Sequence, residues 1–524
     1  MQAAVLRNNT ASSAGGAVYV SGATDLHASD CVFEGNTVFD NATQDVAGYG
    51  GALNVEGSGH VMLSNITLVN NRAGNGGAIY AELHPNSSEV VMRMHATVLR
   101  NNLAGICGGG LHVSWATRLH ASDCVFEGNT VFDDANQVVA GYGGALNVDG
   151  SAPVTLSNIT LVNNQAYYGG GIFAALTNNV NLSSPEVVMH MHATIMRKNS
   201  GKRGGAVHVS GSTQLQAADC VLESNNVTMS NSGAGGVLYV DSSASATLVN
   251  VAILNNEATH GGAIYALQNS RVNLSNAVNV SSNQAVYSGG AVYLADFTAL
   301  SLSHGVLLKN NFARQAGGGI AAFPNSTLDL GPGVQVVNNT ANNEGGGVYM
   351  DDTSILTVNS QAGATSRVLV TGNAAKQHGG GFCLLSEKFT WHSVRAAASL
   401  NILNTAPYGA DCYVPTTHLQ VVNGTTELSV TSRLDGRVQV TVNASGAQGI
   451  PSARMCRRSC KESQWVQRKP PISQGLQPSR CLSESRLVIL TDFLFGHSWR
   501  HSWQRHGSAQ CPGLPQGRCG GKYR

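Results

Sequence analysis

Charge is scarce in this chain. Only 12% of its 524 residues are Asp, Glu, Lys or Arg, and only 6% are aromatic. The formal net charge is +1 but unevenly spread. Residues 451–524 hold 13 of the 31 basic side chains and 3 of the 30 acidic ones, which leaves 18 basic against 27 acidic upstream. A mildly acidic body is a poor partner for nucleic acid, whose recognition rests on cationic contacts to phosphate. No apolar run reaches 18 residues, so no membrane-spanning helix is predicted. No two cysteines have CxxC spacing, so no zinc site is predicted. Glycine numbers 61 residues without a Gly-x-y register, which excludes collagen.

What is present is a repeat. Glycine pairs begin at Gly15, Gly50, Gly76, Gly108, Gly143, Gly169, Gly204, Gly235, Gly261, Gly289, Gly317, Gly345 and Gly379. Each is followed by a small residue, a large apolar one (Val18, Leu53, Ile79 through to Phe382), a variable one, and another apolar one. Such alternation is a strand with one buried face. An asparagine (Asn9, Asn71, Asn102, Asn164, Asn199, Asn256, Asn283, Asn311, Asn339, Asn373) lies five or six residues before most pairs. Asn tolerates left-handed backbone, so it suits a recurrent bend. Gly-Gly suits a second bend that needs positive φ or close backbone approach. Two further short alternating runs complete each unit, as at 272–274 and 277–280.

Three short strands and three bends in about 28 residues predict one turn of a parallel β-coil. Coils stacked at about 4.8 Å give a solenoid of about thirteen turns, roughly 65 Å long. The expected fold is therefore all-β: a parallel β-helix over residues 1–445 and a mostly unstructured tail. The last regular coil is placed near 379–394, with terminal coils or a cap over 395–445. Residues 446–524 lose the periodicity and gather three of the five Trp and five of the eleven Cys. They read as a basic, poorly ordered tail, and HSWRHSWQRH at 497–506 reads as a solvated part of it.

The unit of duplication is three coils. Residues 28–40 recur at 121–133, and 63–71 recur at 156–164. Two insertions, at 37–49 and 82–88 in the first copy, are rich in Asn, Ser, Asp and Pro and read as exposed loops on one side of the stack. MQAAVLRNNT at the start matches VLRNN at 98–102. No basic start followed by an apolar core is legible there, so no signal peptide is predicted and a truncated sequence is expected.

GGAI stands at Gly76–Ile79 and Gly261–Ile264, and FxxN at Phe33–Asn36 and Phe126–Asn129, with close variants in the other coils. These paired tetrapeptides resemble the repeats of the chlamydial polymorphic outer-membrane proteins over residues 1 to about 445. The resemblance implies a right-handed parallel β-helix of the pectin-lyase-like type. It also implies secretion or display at a cell surface, often for adhesion. That family further carries a leader and a C-terminal membrane barrel, and neither pattern is legible here.

Candidate functional residues follow from the coil. The third position after the glycine pair points away from the core and carries Tyr19, Tyr80, Phe173, Tyr239, Tyr265, Tyr293 and Tyr349. Rings at coil spacing form either a stripe that stacks on sugars or a partner, or a ladder that stabilises the sheet. Asn-x-Ser/Thr occurs thirteen times, and Asn41, Asn86 and Asn181 in the inserted loops are the expected glycan acceptors. Cys31, Cys124 and Cys220 share one repeat position and read as interior thiols.

Enzymatic chemistry has little to stand on. Pectin-cleaving hydrolases resemble one another in NTD, paired Asp, GHG and RIK motifs. Asp351–Asp352 is here, but the other three are not. His260 and His378 precede glycine pairs without an acidic pair beside them in sequence. No catalytic residue, metal ligand or cofactor is assigned. The reading is a secreted or cell-surface protein that binds surface glycans or proteins through its loops or its stripe, with no nucleic-acid partner and no membrane span. A carbohydrate-active enzyme and a purely structural wall or matrix component are the alternatives.

Overall fold

The computed structural model describes residues 1–443, apart from 23–24, 40–47, 83–90, 134–137, 176–187, 228–232, 361–366, 386–388, 394–399, 414–417, 433–437 and a few shorter gaps. The predicted tail and the loop sequons Asn41, Asn86 and Asn181 lie outside the described residues. The described residues all fall in the first of two units, Met1–Lys461.

Every named element is a strand. Three long parallel sheets run the length of the stack. The strands that follow the glycine pairs form one of fourteen, from Val18–Gly22 to Cys412–Tyr413. A second has thirteen, from Leu26–Ser29 to Phe389–Ser393. A third has fourteen, from Val5–Arg7 to Leu400–Ile402. Register is strict: Ile79 pairs with Leu53 in the preceding coil and Leu111 in the next. The parallel β-helix is therefore the fold, with fourteen coils. The additional coil is marked by Gly409–Ala410, where Ala replaces the second glycine. Residues 395–445 divide: Leu400–Ile402 and Cys412–Tyr413 extend the parallel ladders, whereas His418–Asn423, Thr426–Ser432 and Val438–Asn443 make a three-stranded antiparallel sheet.

Most coils also have a fourth, short strand, which the sequence reading did not separate from the bend. It includes Thr37–Val38, Thr340–Ala341 and Ala374–Ala375. Its inward residue is small and fully buried, as at Val38, Ala73, Ala104, Ala285 and Ala341. A two-residue strand flips only one side chain inward, and the narrow corner admits only a small one.

The interior is one continuous apolar column that takes in Ile79, Leu146, Ile264 and Val348, with Val18 packed against it at its first coil. Burying a Leu, Ile or Val side chain stabilises by about 1.5–3 kcal/mol, and here that burial exists only between coils. Phe33 and Phe126, the aromatic ends of FxxN, are inside this column at 2% and 1% exposure.

The asparagine ends of FxxN form a ladder. Asn71 Nδ2 donates to Asn102 Oδ1 at 3.0 Å and to the carbonyl of Phe33 at 3.1 Å. Its Oδ1 accepts the backbone N–H and the Nδ2 of Asn36, both at 3.0 Å. The same pattern passes through Asn129, Asn164, Asn199, Asn225, Asn256, Asn283, Asn311, Asn339 and Asn373 to Asn404. An amide with two donor hydrogens and a two-lone-pair oxygen satisfies a buried corner on both faces at once, which no other side chain of this size does.

One expectation is corrected here. The left-handed residue is the one before the ladder asparagine, not the asparagine itself: Asn70, Asn101 and Asn163 have φ of 56°, 53° and 56°, and Gly35 and Gly128 have 65°. The ladder residue is chosen for its amide, and its predecessor for its backbone.

The two glycines of each pair also have separate tasks. The first is left-handed, as at Gly76 with φ 63°. The second lies beneath the next coil: a Cβ on Gly77 would sit 2.2 Å from the carbonyl oxygen of Gly109. Ala410 precedes Cys412–Tyr413, the last strand of its sheet among the described residues, so no described carbonyl of a following coil lies over it.

Candidate binding face

The strands after the glycine pairs turn their second and fourth residues to the core and their third to the outer face. In-register pairing then places every third-position side chain directly over the next. Tyr239, Tyr265 and Tyr293 stack with ring centroids 5.2 and 4.8 Å apart and planes within 11° of parallel. Such pairs contribute about 0.5–1.5 kcal/mol beyond the area they bury.

Stacking has a consequence for exposure. Tyr80, Tyr239 and Tyr349 are only 6%, 5% and 9% exposed, and Phe173, Tyr265 and Tyr293 are half-buried. Of the seven predicted rings only Tyr19, at 52%, is open to solvent. The flat faces of the others lie against one another, so the column is built as a ladder.

A second column, not seen in the sequence, completes it. The residue immediately before each glycine pair lies beside the third-position residue. Tyr49 and Tyr142 stand where the third position is Asn54 or Asn147, within GYGGALNV in both copies. Tyr49 packs on Tyr80 at 4.7 Å, and Tyr142 on Tyr168 and Phe173 at 4.8 Å each. Where the third position is Ala321, Phe323 fills the gap between Tyr293 and Tyr349, at 4.9 and 5.4 Å. Tyr49 and Tyr142 remain 40% and 36% exposed, so they carry ring surface to solvent. The legible signal was the alternation between the two columns: a ring before the glycines wherever Asn follows them.

Polar groups interrupt the rings. Arg203 lies over the rings of Tyr168 and Tyr239 at 5.4 and 5.6 Å, and Lys202 over Tyr167 at 5.0 Å. His208, 3% exposed, bonds Asp241 through Nε2 at 3.3 Å. Burial drives its proton affinity down, the Asp241 bond only partly offsets this, and the imidazole is neutral at neutral pH. Burial alone lowers His112 to about 4, where it stacks on Tyr80 and meets Asn147 Nδ2 at 3.0 Å. Burial likewise raises Tyr265 to about 12. Buried oxygens of Asn54 and Asn147 and Nδ1 of His208 have no protein partner on this face.

The other singled-out residues fall elsewhere. Asp351 accepts bonds from the backbone of Thr353 and Ser354 and shapes its own turn. His378 meets one carboxylate, Glu344 of the neighbouring coil, at 3.0 Å. Cys31, Cys124 and Cys220 are each 1% exposed and donate to the carbonyls of Ser29, Ser122 and Ala218 at 3.0–3.1 Å. Burial pushes the Cys124 thiol up to about 11. Among the described residues no three His, Cys, Asp or Glu side chains gather to hold a metal ion.

One coil segment contains all these devices: ladder Asn71, left-handed Asn70, the Gly76–Gly77 pair, core Ile79 and outer Tyr80. Residues 65–82 match the Chlamydia polymorphic membrane protein (Chlamydia_PMP) repeat. No curated protein matches the chain. The matched segment takes in three of the strands of one coil, Thr67–Val69, Arg72–Asn75 and Ile79–Glu82, and the corners between them. Its GGAI is the corner, the inter-coil approach and the first core side chain, and the asparagine of its FxxN variant at 68–71 is a rung of the ladder.

Proposed function

We propose that this chain is a non-enzymatic surface protein, displayed at a cell surface or outer membrane, that binds a glycan or protein ligand across the ring-bearing face. The match to a polymorphic membrane protein repeat supports surface display. The observation that carries the binding reading is the pair Tyr49 and Tyr142. They are equivalent residues three coils apart, roughly 14 Å at strand spacing; Tyr49 is braced by buried Tyr80 and Tyr142 by half-buried Tyr168 and Phe173, and both keep ring surface open to solvent. Preorganised rings lose little entropy when a sugar ring or an apolar side chain stacks on them.

A glycan array paired with a reducing-sugar release assay tests this reading. Binding without sugar release is expected, reduced at least tenfold in Tyr49→Ala/Tyr142→Ala with folding intact. Unchanged binding in that variant refutes the face, and sugar release refutes the non-enzymatic reading. The triple change at Tyr239, Tyr265 and Tyr293 is the poorer test, because it removes buried packing.

A further inference from the structure

The second sheet presents an outer face that the ring-bearing surface does not touch. Its register lines up His27, Met62, Arg93, His120, Thr155 and His190 in one row across six coils. The row beside it runs Ser64, His95, Ser122, Ser157 and His192. Arg118 stands at the start of the His120 strand on the same face. A cleft of about 350 Å³ lies over Met62, Arg93, His95 and His120. His27, Arg93, His95, His190 and His192 are exposed, and His120 is half-buried.

No carboxylate occurs in either row between His27 and His192. The nearest among the described residues are at the strand edges. Asp25 accepts the backbone N–H of His60, and Asp30 accepts Asn65 Nδ2. Asp123 meets His95 and Asp219 meets His192, each at 3.2 Å. Five imidazoles and two guanidinium groups thus face four partnered carboxylates, two of them on His95 and His192, and a set of hydroxyls. Past His192 the first row continues as Gln216, Thr247 and Asn273 and the second as Ala218, Val249 and Ser275, so neither row carries a cation over the next three coils.

We infer that this face binds a linear anionic polysaccharide, bearing carboxylate or sulfate groups, and holds it more tightly as the pH falls below neutral. Imidazole is the side chain whose charge changes between pH 5 and 8, so protonation of the five imidazoles turns a face of two guanidinium groups and four carboxylates into a net cationic one. The row runs along the stack at about 4.8 Å per coil, which suits an extended chain. Serine and threonine hydroxyls between the cations supply hydrogen bonds to sugar hydroxyls. Nucleic acid is the less suited polymer, because neither row carries a Phe, Tyr or Trp between His27 and His192 for bases to stack on. The site arose with the three-coil duplication: Arg93 and His95 of EVVMRMHAT correspond to His190 and His192 of EVVMHMHAT.

The test uses the full chain with heparin as the sulfated probe, polygalacturonate as the carboxylated one and neutral dextran as control. Binding to at least one anionic probe is expected, at least tenfold tighter at pH 5.5 than at pH 7.5 and weakened by salt, with none to dextran. Both probes binding assigns recognition to negative charge in general; one alone names the group. Arg93→Gln/His120→Gln/His190→Gln/His192→Gln is expected to lose at least tenfold in affinity at pH 5.5, and the single exposed change His190→Glu to lose part of it, with unchanged circular dichroism. Tyr49→Ala/Tyr142→Ala is expected to retain the anionic binding, which separates this face from the ring-bearing one. Failure of both probes, a pH-independent affinity, or full binding by the four-fold variant and by His190→Glu overturns the inference.

Discussion

Replacing Asn283 with Ala tests the asparagine ladder at its centre. The Asn283 Oδ1 accepts the backbone N–H of Asn256 at 3.0 Å and its Nδ2 at 2.9 Å. Its Nδ2 donates to the carbonyl of Ile253 at 3.1 Å and to Asn311 Oδ1 at 3.0 Å. Truncation leaves two buried donor hydrogens of Asn256 without acceptors, in a corner 1% exposed. An orphaned buried polar group costs about 1–3 kcal/mol, so Asn283→Ala is expected to lose about 2–6 kcal/mol. Asn9 supplies the control. It is exposed at the first coil, no earlier asparagine donates to it, and it only donates to Asn36. Removing its side chain strands no buried donor, so Asn9→Ala is expected to cost less than about 1 kcal/mol. Urea unfolding followed by circular dichroism measures both, and amide exchange at Asn256 localises the effect. Stability is a near-neighbour sum in such a stack, so faster exchange should centre on the coils flanking residue 283. Equal losses at the two positions, or an Asn283→Ala loss below about 1 kcal/mol, would show that the ladder is incidental to the corner.

Three further outcomes are expected. Gly77→Ala should destabilise by about 1–3 kcal/mol or more, because its methyl meets the Gly109 carbonyl; urea unfolding that finds it neutral or stabilising refutes the close-approach argument. Acidification should weaken the coils around His112: its folded value, about 4, lies below the unfolded 6.5, so stability is full above pH 6.5 and declines as pH falls from there to 4. The loss is of order 3 kcal/mol, and His112→Asn should abolish it in a melting series across that range. Cys124 should resist a thiol reagent at pH 7.5 until the chain unfolds, since burial keeps it protonated; modification of the folded protein at the rate of a free thiol would contradict its place in the core.

The coil was legible because each of its demands is local and recurs at every turn. Gly76–Gly77, Ile79 and Asn71 are forced by a bend, a core side chain and a buried corner, and the same forces act thirteen times over. The fourteenth coil was legible only as one of the terminal coils or a cap over 395–445, because Ala410 breaks the Gly-Gly signal there. The ring face was only half legible. Alternation correctly turned Tyr239 away from the core, but exposure depends on what lies beside a ring. Tyr142 and Phe323 enter the column from other sequence positions. The imidazole rows were not legible at all, since His27, His120 and His190 are separated by 93 and 70 residues and meet only through pairing.

From its order of residues alone, then, this protein was bound to wind into parallel coils around an apolar column, because side-chain periodicity and glycine geometry act over a few residues. Which outward side chains are covered, which stay open, and which histidines share a surface were decided by the stacking of coils. Neighbours in that direction are about 26 to 38 residues apart, and the length of every loop between them shifts who meets whom.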